Sequence, residues 1–322
     1  MSAPGRALLR VLTCASCATF APNRPLSRAA ESRTTRHTIR VGGRERSFFL
    51  HLPSGFDASH RYPLLVLLHG HNNNGASILH QTKMEAVADK FGFIVASPNG
   101  TGRFGRVWLT WNVGTCCGFA QATHVNDVAF LAALVDTLSA ALPVDRARIA
   151  IAGFSAGGML ALRAACDRSS LATLYVNVQG TMPDTTCRPT RPVSMLLVAG
   201  DEDEDMASEH AENKRRHGRA FSTSAMGTLR FWARHNGCDS VLVTRRVAGR
   251  TDHIATGCAL GTTTRLVTVH GHPHAWPGGH SSWLFAQSGS RDVDASLLIA
   301  SMIARDSPAR TAAGQPEHQA AR

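Results

Sequence analysis

The stretch Arg148-Ile-Ala-Ile-Ala-Gly-Phe-Ser-Ala-Gly157 decides the fold, because it joins an apolar run to a glycine-rich turn. Residues 148–152 predict a strand buried on both faces, and residues 159–166 predict a helix after the turn. A serine at such a turn adopts a strained backbone, and the glycines on either side leave room for it. The Gly-x-Ser-x-Gly pattern in this context therefore predicts that Ser155 is a nucleophile.

Further apolar runs lie on both sides of that stretch. Buried strands are predicted at residues 64–68, 93–96, 193–199 and 265–269. Residues 40–52 predict a hairpin that turns at Gly42-Gly43, and residues 126–142 predict a helix. Strands separated by helical stretches indicate an α/β fold with a mostly parallel, doubly wound sheet. Because no repeat or linker divides the pattern, we predict a single domain over residues 37–305.

The composition excludes several classes of protein. The chain is 43% hydrophobic, which is too apolar for wholesale disorder, and it contains no apolar run long enough for a membrane-spanning helix. It carries 34 Lys plus Arg against 23 Asp plus Glu, a formal charge of +11. The basic residues are scattered along the chain, whereas a nucleic-acid binder concentrates them on one face. We therefore predict neither a nucleic-acid partner nor stable membrane insertion, and the oligomeric state is not predicted.

The two ends of the chain differ from its middle. Residues 1–21 carry Arg6 and Arg10, then a short apolar stretch, and they resemble a secretory signal peptide with cleavage near Ala21. Residues 22–36 and 306–322 lack periodicity and are predicted to be disordered. Removal of the signal leaves six cysteines, an even number that favours disulfides in an oxidising compartment. We therefore predict secretion to the extracellular space or the periplasm.

A serine nucleophile needs a base and an acid, expected in the order Ser, acid, His. The acid is sought in Asp201-Glu-Asp-Glu-Asp205, directly after a predicted strand. The base is sought among His270, His272, His274 and His280. Alternating histidines can also bind a metal, but Pro273 breaks the alternation and no carboxylate is adjacent in sequence. We therefore predict no metal and no cofactor.

Acyl transfer also needs hydrogen-bond donors for the oxyanion that develops on the carbonyl oxygen. The backbone amide of Ala156, directly after the candidate nucleophile, is one predicted donor. The other is expected in His69-Gly-His-Asn72, which follows the strand at residues 64–68. Since Gly70 allows a sharp bend, we predict the amide of His71 as the second donor.

Several motifs, taken together, resemble one family. They are Leu50-His-Leu-Pro-Ser-Gly-Phe56, Leu67-Leu-His-Gly70, Trp111-Asn with Cys116-Cys-Gly118, Asn126-Asp-Val-Ala-Phe-Leu131, Gly153-Phe-Ser-Ala-Gly-Gly158, His274-Ala-Trp-Pro-Gly278 and Asp294-Ala-Ser296. With these motifs the chain is similar, over about residues 46–303, to the polyhydroxybutyrate depolymerase and feruloyl-esterase-like group of secreted α/β-hydrolases. The resemblance implies an α/β-hydrolase fold and a carboxylic ester hydrolase.

The resemblance also assigns the base and the acid. The catalytic histidine of the family precedes x-Trp-Pro-Gly, which gives His274, and its acid follows a strand as Gly-x-x-Asp, which gives Asp203. The chain has Ala199 where the family often has His, and its acid loop is unusually acidic, so Asp201 and Asp205 stay as alternatives.

Aromatic and cysteine residues extend this comparison. We expect Trp111 and Trp276 to line the substrate cleft, because aromatic walls suit a polyester or an aromatic acyl group. Cys238–Cys258 resembles a disulfide of the family, and Cys166–Cys187 is a second candidate. No partner is predicted for Cys116 or Cys117.

These observations predict a serine esterase that uses Ser155, His274 and Asp203. Its ester substrates would be 3-hydroxybutyrate oligomers or polyester, or small aromatic or acetyl esters. One alternative is a catalytically silent protein of the same fold that binds a polymer or a partner at the cell surface. Another is a serine peptidase, disfavoured because the sequence contains no propeller or cap domain.

Overall fold

A computed structural model describes residues 21–22, 33–105, 107–203, 215–216, 219–220, 224–280, 290 and 292–305 of the chain. Within these residues the strands are β1 (Ala21–Pro22), β2 (Thr34–Val41), β3 (Arg44–His51), β4 (Tyr62–Leu68), β5 (Ile94–Pro98), β6 (Val144–Phe154), β7 (Leu174–Val178), β8 (Ser194–Gly200), β9 (Arg215–Arg216), β10 (Arg219–Ala220), β11 (Leu242–Val247), β12 (Arg250–Ala255) and β13 (Thr264–Val269). The α-helices are α1 (Gly75–Thr82), α2 (Met84–Phe91), α3 (Gly118–Ala122), α4 (Asp127–Ala141), α5 (Ala156–Asp167), α6 (Ala225–His235) and α7 (Ala295–Arg305). None of these helices has both the length and the apolar composition that a bilayer crossing requires.

One large sheet organises the described part of the chain. Its eleven strands follow the order β1-β2-β3-β5-β4-β6-β7-β8-β13-β12-β11. The central strands from β5 to β13 pair in parallel, and the pairs toward both edges are antiparallel. Parallel neighbours need crossover connections, and α1, α2, α4 and α5 lie in such connections.

The central strands are buried on both faces because helices cover both sides of the sheet. In β4, Leu64, Val66 and Leu68 contribute to one core cluster, which α4, α5 and α6 complete. Leu65 and Leu67 point the other way, into a cluster completed by α1, α2 and α7. All five side chains are fully buried. This two-sided burial explains the uninterrupted apolar runs of the sequence and confirms the predicted doubly wound α/β architecture.

Most predicted elements correspond to observed ones, and the differences are local. The predicted hairpin is β2–β3, and the predicted buried strands are β4, β5, β6, β8 and β13. However, β2 begins at Thr34, inside the segment predicted as a disordered lead-in. The sequence did not indicate β7 or the β11–β12 hairpin. The signal segment, apart from Ala21, and residues 306–322 lie outside the described residues.

The direction of the parallel strands determines where the candidate site lies. Strands β4, β5, β6, β7, β8 and β13 all run the same way, so their carboxyl ends meet at one edge of the sheet. In open parallel sheets, ligands bind outside this edge. Ser155 follows β6, Asp203 follows β8 and His274 follows β13, so all three lie at this edge.

Candidate active site

The turn between β6 and α5 holds Ser155 in a backbone conformation that side-chain-bearing residues rarely adopt. Its φ is 52° and its ψ is −119°. A Cβ on Gly153 would collide with the backbone of Gly157, and a Cβ on Gly157 would lie 2.6 Å from the carbonyl oxygen of His69. Both glycines are therefore required by the close approach of backbone segments, as the Gly-x-Ser-x-Gly pattern predicts.

A continuous hydrogen-bonded chain joins Ser155, His274 and Asp203. The distance from His274 Nε2 to Ser155 Oγ is 3.0 Å, and that from His274 Nδ1 to Asp203 Oδ2 is 2.7 Å. A carboxylate can only accept, so Nδ1 carries the proton and Nε2 accepts from the serine hydroxyl. The Asp203 side chain is 1% exposed and that of His274 is 36% exposed. The buried Asp203 carboxylate therefore fixes the tautomer of the His274 imidazole, which stays accessible.

The other histidines of the tract make different contacts. His272 is fully buried, donates from Nε2 to the carbonyl oxygen of Ala275 (3.0 Å) and accepts at Nδ1 from the amide of Ser290 (2.8 Å). Burial lowers the pKa of His272, so it is neutral in this arrangement. His270 Nε2 lies 2.9 Å from Thr251 Oγ1, and the ring of His280 stacks on His80. Among these four, His274 is the one that reaches Ser155.

The alternative acids differ from Asp203 in their surroundings. Asp201 is exposed, and its Oδ1 accepts a hydrogen bond from the amide of Gly271 at 2.7 Å. Asp205 lies outside the described residues. Within the described part of the chain, no group of three or more His, Cys, Asp or Glu side chains is arranged to hold a metal ion.

The loop after β4 contains both a predicted oxyanion donor and an anchor that sequence reasoning missed. Its His71 side chain is exposed, whereas His69 is fully buried. His69 donates from Nδ1 to the carbonyl oxygen of Gly70 (2.7 Å) and accepts at Nε2 from the amide of Gly100 (3.0 Å). Burial, the main cause, lowers the pKa of His69 to about 4, which keeps the imidazole neutral. The His69 ring therefore fixes the course of this loop.

The predicted donor Ala156 is the first residue of α5. The amides at a helix N-terminus lack intrahelical partners and point out of the helix, where they favour negative charge. Ala156 is buried, and its neighbour Gly157 lies against the carbonyl oxygen of His69 in the loop after β4.

Trp111 and Trp276 do not line a cleft, which corrects the expectation from the sequence. Trp111 is fully buried, and its indole Nε1 donates to the carbonyl oxygen of His69 at 2.9 Å. Trp276 is 2% exposed and donates to Ser296 Oγ of α7 at 3.0 Å. Each indole N–H is satisfied inside the protein, as buried tryptophans require. Both rings therefore pack inside the protein next to the site and not on its surface.

Exposed aromatic surface near this edge belongs to other residues. Phe104 is 60% and Trp108 63% exposed, and their rings pack edge to face with centroids 5.6 Å apart. Their loop borders a polar cavity of about 530 Å³, whose lining includes Arg36, Arg44 and Asn74. The cavity lies beside the β4 loop, and Ser155 is not among its lining residues. Phe154 is half-buried, and its ring centroid lies 5.2 Å from that of His274.

The cysteines form three pairs in the described residues. Cys238 is bonded to Cys258, the pair that the resemblance implied, and Cys166 is bonded to Cys187, the second candidate pair. Cys116 and Cys117, for which no partner was predicted, are bonded to each other. The bond of Cys238 lies next to Thr264, at the start of the strand that leads to His274.

Comparisons with known proteins identify esterases. Residues 46–181 match the sequence model of the family described as “Esterase PHB depolymerase”. The chain is 28% identical over 283 residues to “Putative esterase NocK” of Nocardia uniformis subsp. tsuyamanensis, covering 82% of this chain and 80% of that protein. It is 25% identical over 248 residues to “Feruloyl esterase B” of Piromyces equi, covering 75% of this chain and 45% of that protein.

A solved structure supports the fold. The acetyl xylan esterase from Aspergillus awamori superposes with a TM-score of 0.52 at 15% identity, over 71% of this chain and 89% of that one. At this identity the likeness concerns the fold alone. These similarities confirm the predicted resemblance to esterases and the assignment as a carboxylic ester hydrolase, and the architecture is that of an α/β-hydrolase.

Proposed function

We propose that this chain, a carboxylic ester hydrolase, cleaves its substrate with Ser155 as nucleophile, His274 as base and Asp203 as the acid that orients the base. One observation carries the proposal: the unbroken contact from Ser155 Oγ through the His274 imidazole to Asp203 Oδ2, with Ser155 on a strained turn. A hydroxyl is a weak nucleophile until a base takes its proton, and this arrangement supplies the base in the required tautomer.

In the acylation half-reaction, Ser155 Oγ attacks the ester carbonyl carbon while His274 Nε2 takes the hydroxyl proton. The carbonyl π electrons move to the oxygen, which accepts hydrogen bonds from the amides of Ala156 and His71. Asp203 stabilises the imidazolium that forms. Collapse of the tetrahedral intermediate breaks the bond to the alcohol oxygen, which receives the proton from Nε2 and leaves as the alcohol.

Water completes the cycle. His274 Nε2 takes a proton from a water molecule as its oxygen attacks the acyl carbon. The second intermediate collapses, Ser155 Oγ recovers the proton from Nε2, and the carboxylic acid is released. The 36% exposure of the His274 side chain is compatible with the entry of this water. No cofactor takes part in either half-reaction.

The substrate class that we propose is an ester of 3-hydroxybutyrate, as oligomer or polyester, or a small aromatic or acetyl ester. The family description names a polyhydroxybutyrate depolymerase, and one relative is named as a feruloyl esterase. A panel of hydroxybutyrate oligomers, ferulate esters and acetylated xylan, assayed by acid release, discriminates among these classes. If the protein hydrolyses none of these three substrates, the proposed substrate class is wrong.

The mechanism is tested by covalent labelling. A fluorophosphonate reacts with an activated serine, and peptide mapping of the adduct identifies the residue. We expect the label on Ser155 of the wild-type protein and not on a His274→Ala variant, because the hydroxyl is then no longer activated. Failure of the wild-type protein to react would favour the alternative of a catalytically silent binding protein.

We also propose that the protein is secreted. Cys166–Cys187 and Cys238–Cys258 are bonded, and such bonds persist in oxidising compartments. N-terminal sequencing of protein recovered outside the cytoplasm tests this, with a mature terminus expected near Ala21. A cytoplasmic protein that retains Met1 would contradict it.

A further inference from the structure

A buried glutamine connects the two loops that carry the acid and the base. Gln179 directly follows β7 and is 1% exposed. Its φ is 57°, a left-handed conformation that a residue with a side chain adopts at a cost in free energy. Such conformations persist where the surrounding structure holds them, and here both ends of the side-chain amide are engaged.

The oxygen of the Gln179 amide binds the end of β8. Oε1 accepts a hydrogen bond from the amide of Gly200 at 2.9 Å. Gly200 is the last residue of β8, and its carbonyl oxygen lies 3.4 Å from the amide nitrogen of Asp203. This bond therefore holds the strand end from which the acid loop departs.

The nitrogen of the same amide binds the loop of the base. Nε2 donates to the carbonyl oxygen of Pro273 at 2.9 Å and lies 3.4 Å from that of Ala275. These residues are the two neighbours of His274 in the chain. Hydrogen bonds on both sides of His274 limit how far its backbone can shift relative to β8.

The backbone beside Gln179 extends the same connection to the nucleophile. The carbonyl oxygen of the preceding residue, Val178, accepts from the amide of Ser155 at 2.8 Å. The amide of Gln179 donates to Val198 of β8 at 2.9 Å. A single residue at the end of β7 therefore lies between the turn of Ser155, the loop of Asp203 and the loop of His274.

We propose that Gln179 is a positioning residue for ester hydrolysis, which holds the Asp203 carboxylate and the His274 imidazole at their 2.7 Å separation. The inference rests on the proposed function, since it concerns the residues assigned there. Gln179 acts through Gly200, Pro273 and Ala275 and does not itself touch the reacting atoms. Because triad chemistry needs close alignment, displacement of one group by about 1 Å can lower the rate by about 100-fold.

The test compares two buried amides that bind opposite ends of β8. Asn236 is also 1% exposed, and it binds Val193 and Thr264, at the starts of β8 and β13 and away from the site. Gln179→Met and Asn236→Leu each replace a buried amide by an apolar side chain of similar size. Both should lower stability, because each leaves buried backbone groups without their hydrogen-bond partners. Only the first should change catalysis.

The expected result is a split between kcat and KM. For Gln179→Met, kcat on a small ester should fall by about 100-fold with little change in KM, and the rate of fluorophosphonate labelling should fall in parallel. Asn236→Leu should keep both rates. If Gln179→Met does not fold, Gln179→Asn supplies the test, because its amide is one methylene too short to hold both loops and kcat should again fall.

Two outcomes would overturn the inference: an unchanged kcat in the Gln179 variant, or an equal loss of kcat in Asn236→Leu. Both differ from failure of the proposed function. If the proposed function is wrong, the wild-type protein will not be labelled at Ser155, or the Ser155→Ala variant will retain activity.

Discussion

His274 and Asp203 are separated by 71 residues in the chain, yet His274 Nδ1 lies 2.7 Å from Asp203 Oδ2. The sheet explains this contact. Strands β8 and β13 are parallel neighbours, with Gly200 opposite Val269 in the register. The loops that leave both strand ends therefore emerge side by side, and each delivers one member of the pair.

The first prediction concerns the acid. Asp203→Asn replaces a buried carboxylate by an amide that cannot stabilise the imidazolium and that favours the wrong tautomer of His274. The kcat on an activated ester should fall by roughly three to four orders of magnitude. Steady-state kinetics on p-nitrophenyl acetate measures the loss.

The matched control for this prediction is Asp201→Asn. Asn retains an Oδ1 that can still accept from the amide of Gly271, the contact that Asp201 makes in the structure. Its effect on kcat should be mild. Equal losses in the two variants would show that the acid has been assigned to the wrong position in the loop.

A second prediction concerns Gly157, the second residue of α5. Alanine favours a helix over glycine by up to about 1 kcal/mol, so on helix propensity alone Gly157→Ala should stabilise the protein. However, the Cβ of an alanine here would lie 2.6 Å from the His69 carbonyl oxygen and displace the loop after β4, which holds the proposed oxyanion donor His71. We expect kcat to fall by about 100-fold. A variant with wild-type kcat and a raised melting temperature would show that the loop after β4 accommodates the added methyl group without moving His71.

A third prediction concerns the bond between Cys238 and Cys258, which are 20 residues apart. Closing such a loop stabilises a protein by about 3 kcal/mol in the chain-entropy model. The double variant Cys238→Ser/Cys258→Ser should lose about this much free energy of unfolding in urea, with kcat retained at low temperature. Alkylation of the native protein at both thiols would contradict the bond.

A fourth prediction concerns stability in acid. The pKa of His69 is about 4 in the folded protein, below the ordinary 6.5, because the ring is buried. Between these values the unfolded chain binds a proton that the folded protein does not, so stability decreases as the pH falls from 6.5 toward 4. The difference amounts to about 3 kcal/mol.

Urea unfolding of the wild-type protein and of His69→Gln, followed from pH 7 to pH 4.5, measures the contribution of His69. Glutamine keeps a donor and an acceptor but does not titrate. Other histidines with a lowered pKa titrate in both proteins, namely His37, His235, His253 and His272. The wild-type stability should therefore fall more steeply with acid, and parallel curves would contradict the prediction.

Local patterns predicted the parts of the fold that depend on few residues. The turn at Ser155 follows from glycine geometry, and β4 follows from an uninterrupted apolar run. In contrast, β7 contains Asn177, a polar residue that interrupts the apolar pattern of the strand. In the structure Asn177 is buried, and its amide nitrogen donates to the carbonyl oxygen of Gly180. The edge strand β11 was not predicted because its exposed Arg245 and Arg246 interrupt the apolar pattern.

The site shows the same division. Motifs led us to propose Ser155, His274 and Asp203, since their order and spacing are visible in the chain. The burial of Trp111 and the bonds of Gln179 depend on segments far away in sequence, so no local pattern reveals them. Trp111 is held inside the protein by a hydrogen bond from its indole nitrogen to the carbonyl oxygen of His69, at 2.9 Å. That distance is set only when β4 and the β5–α3 loop pack together.

The substitution Ser155→Ala tests the proposed mechanism most directly. Removal of the hydroxyl leaves the strained turn, the base and the acid in place, so circular dichroism and the melting temperature should match those of the wild-type protein. Loss of the nucleophile should lower kcat on p-nitrophenyl acetate on the order of a million-fold. A folded Ser155→Ala protein that retained about a tenth of the wild-type kcat would contradict the assignment of Ser155 as the nucleophile.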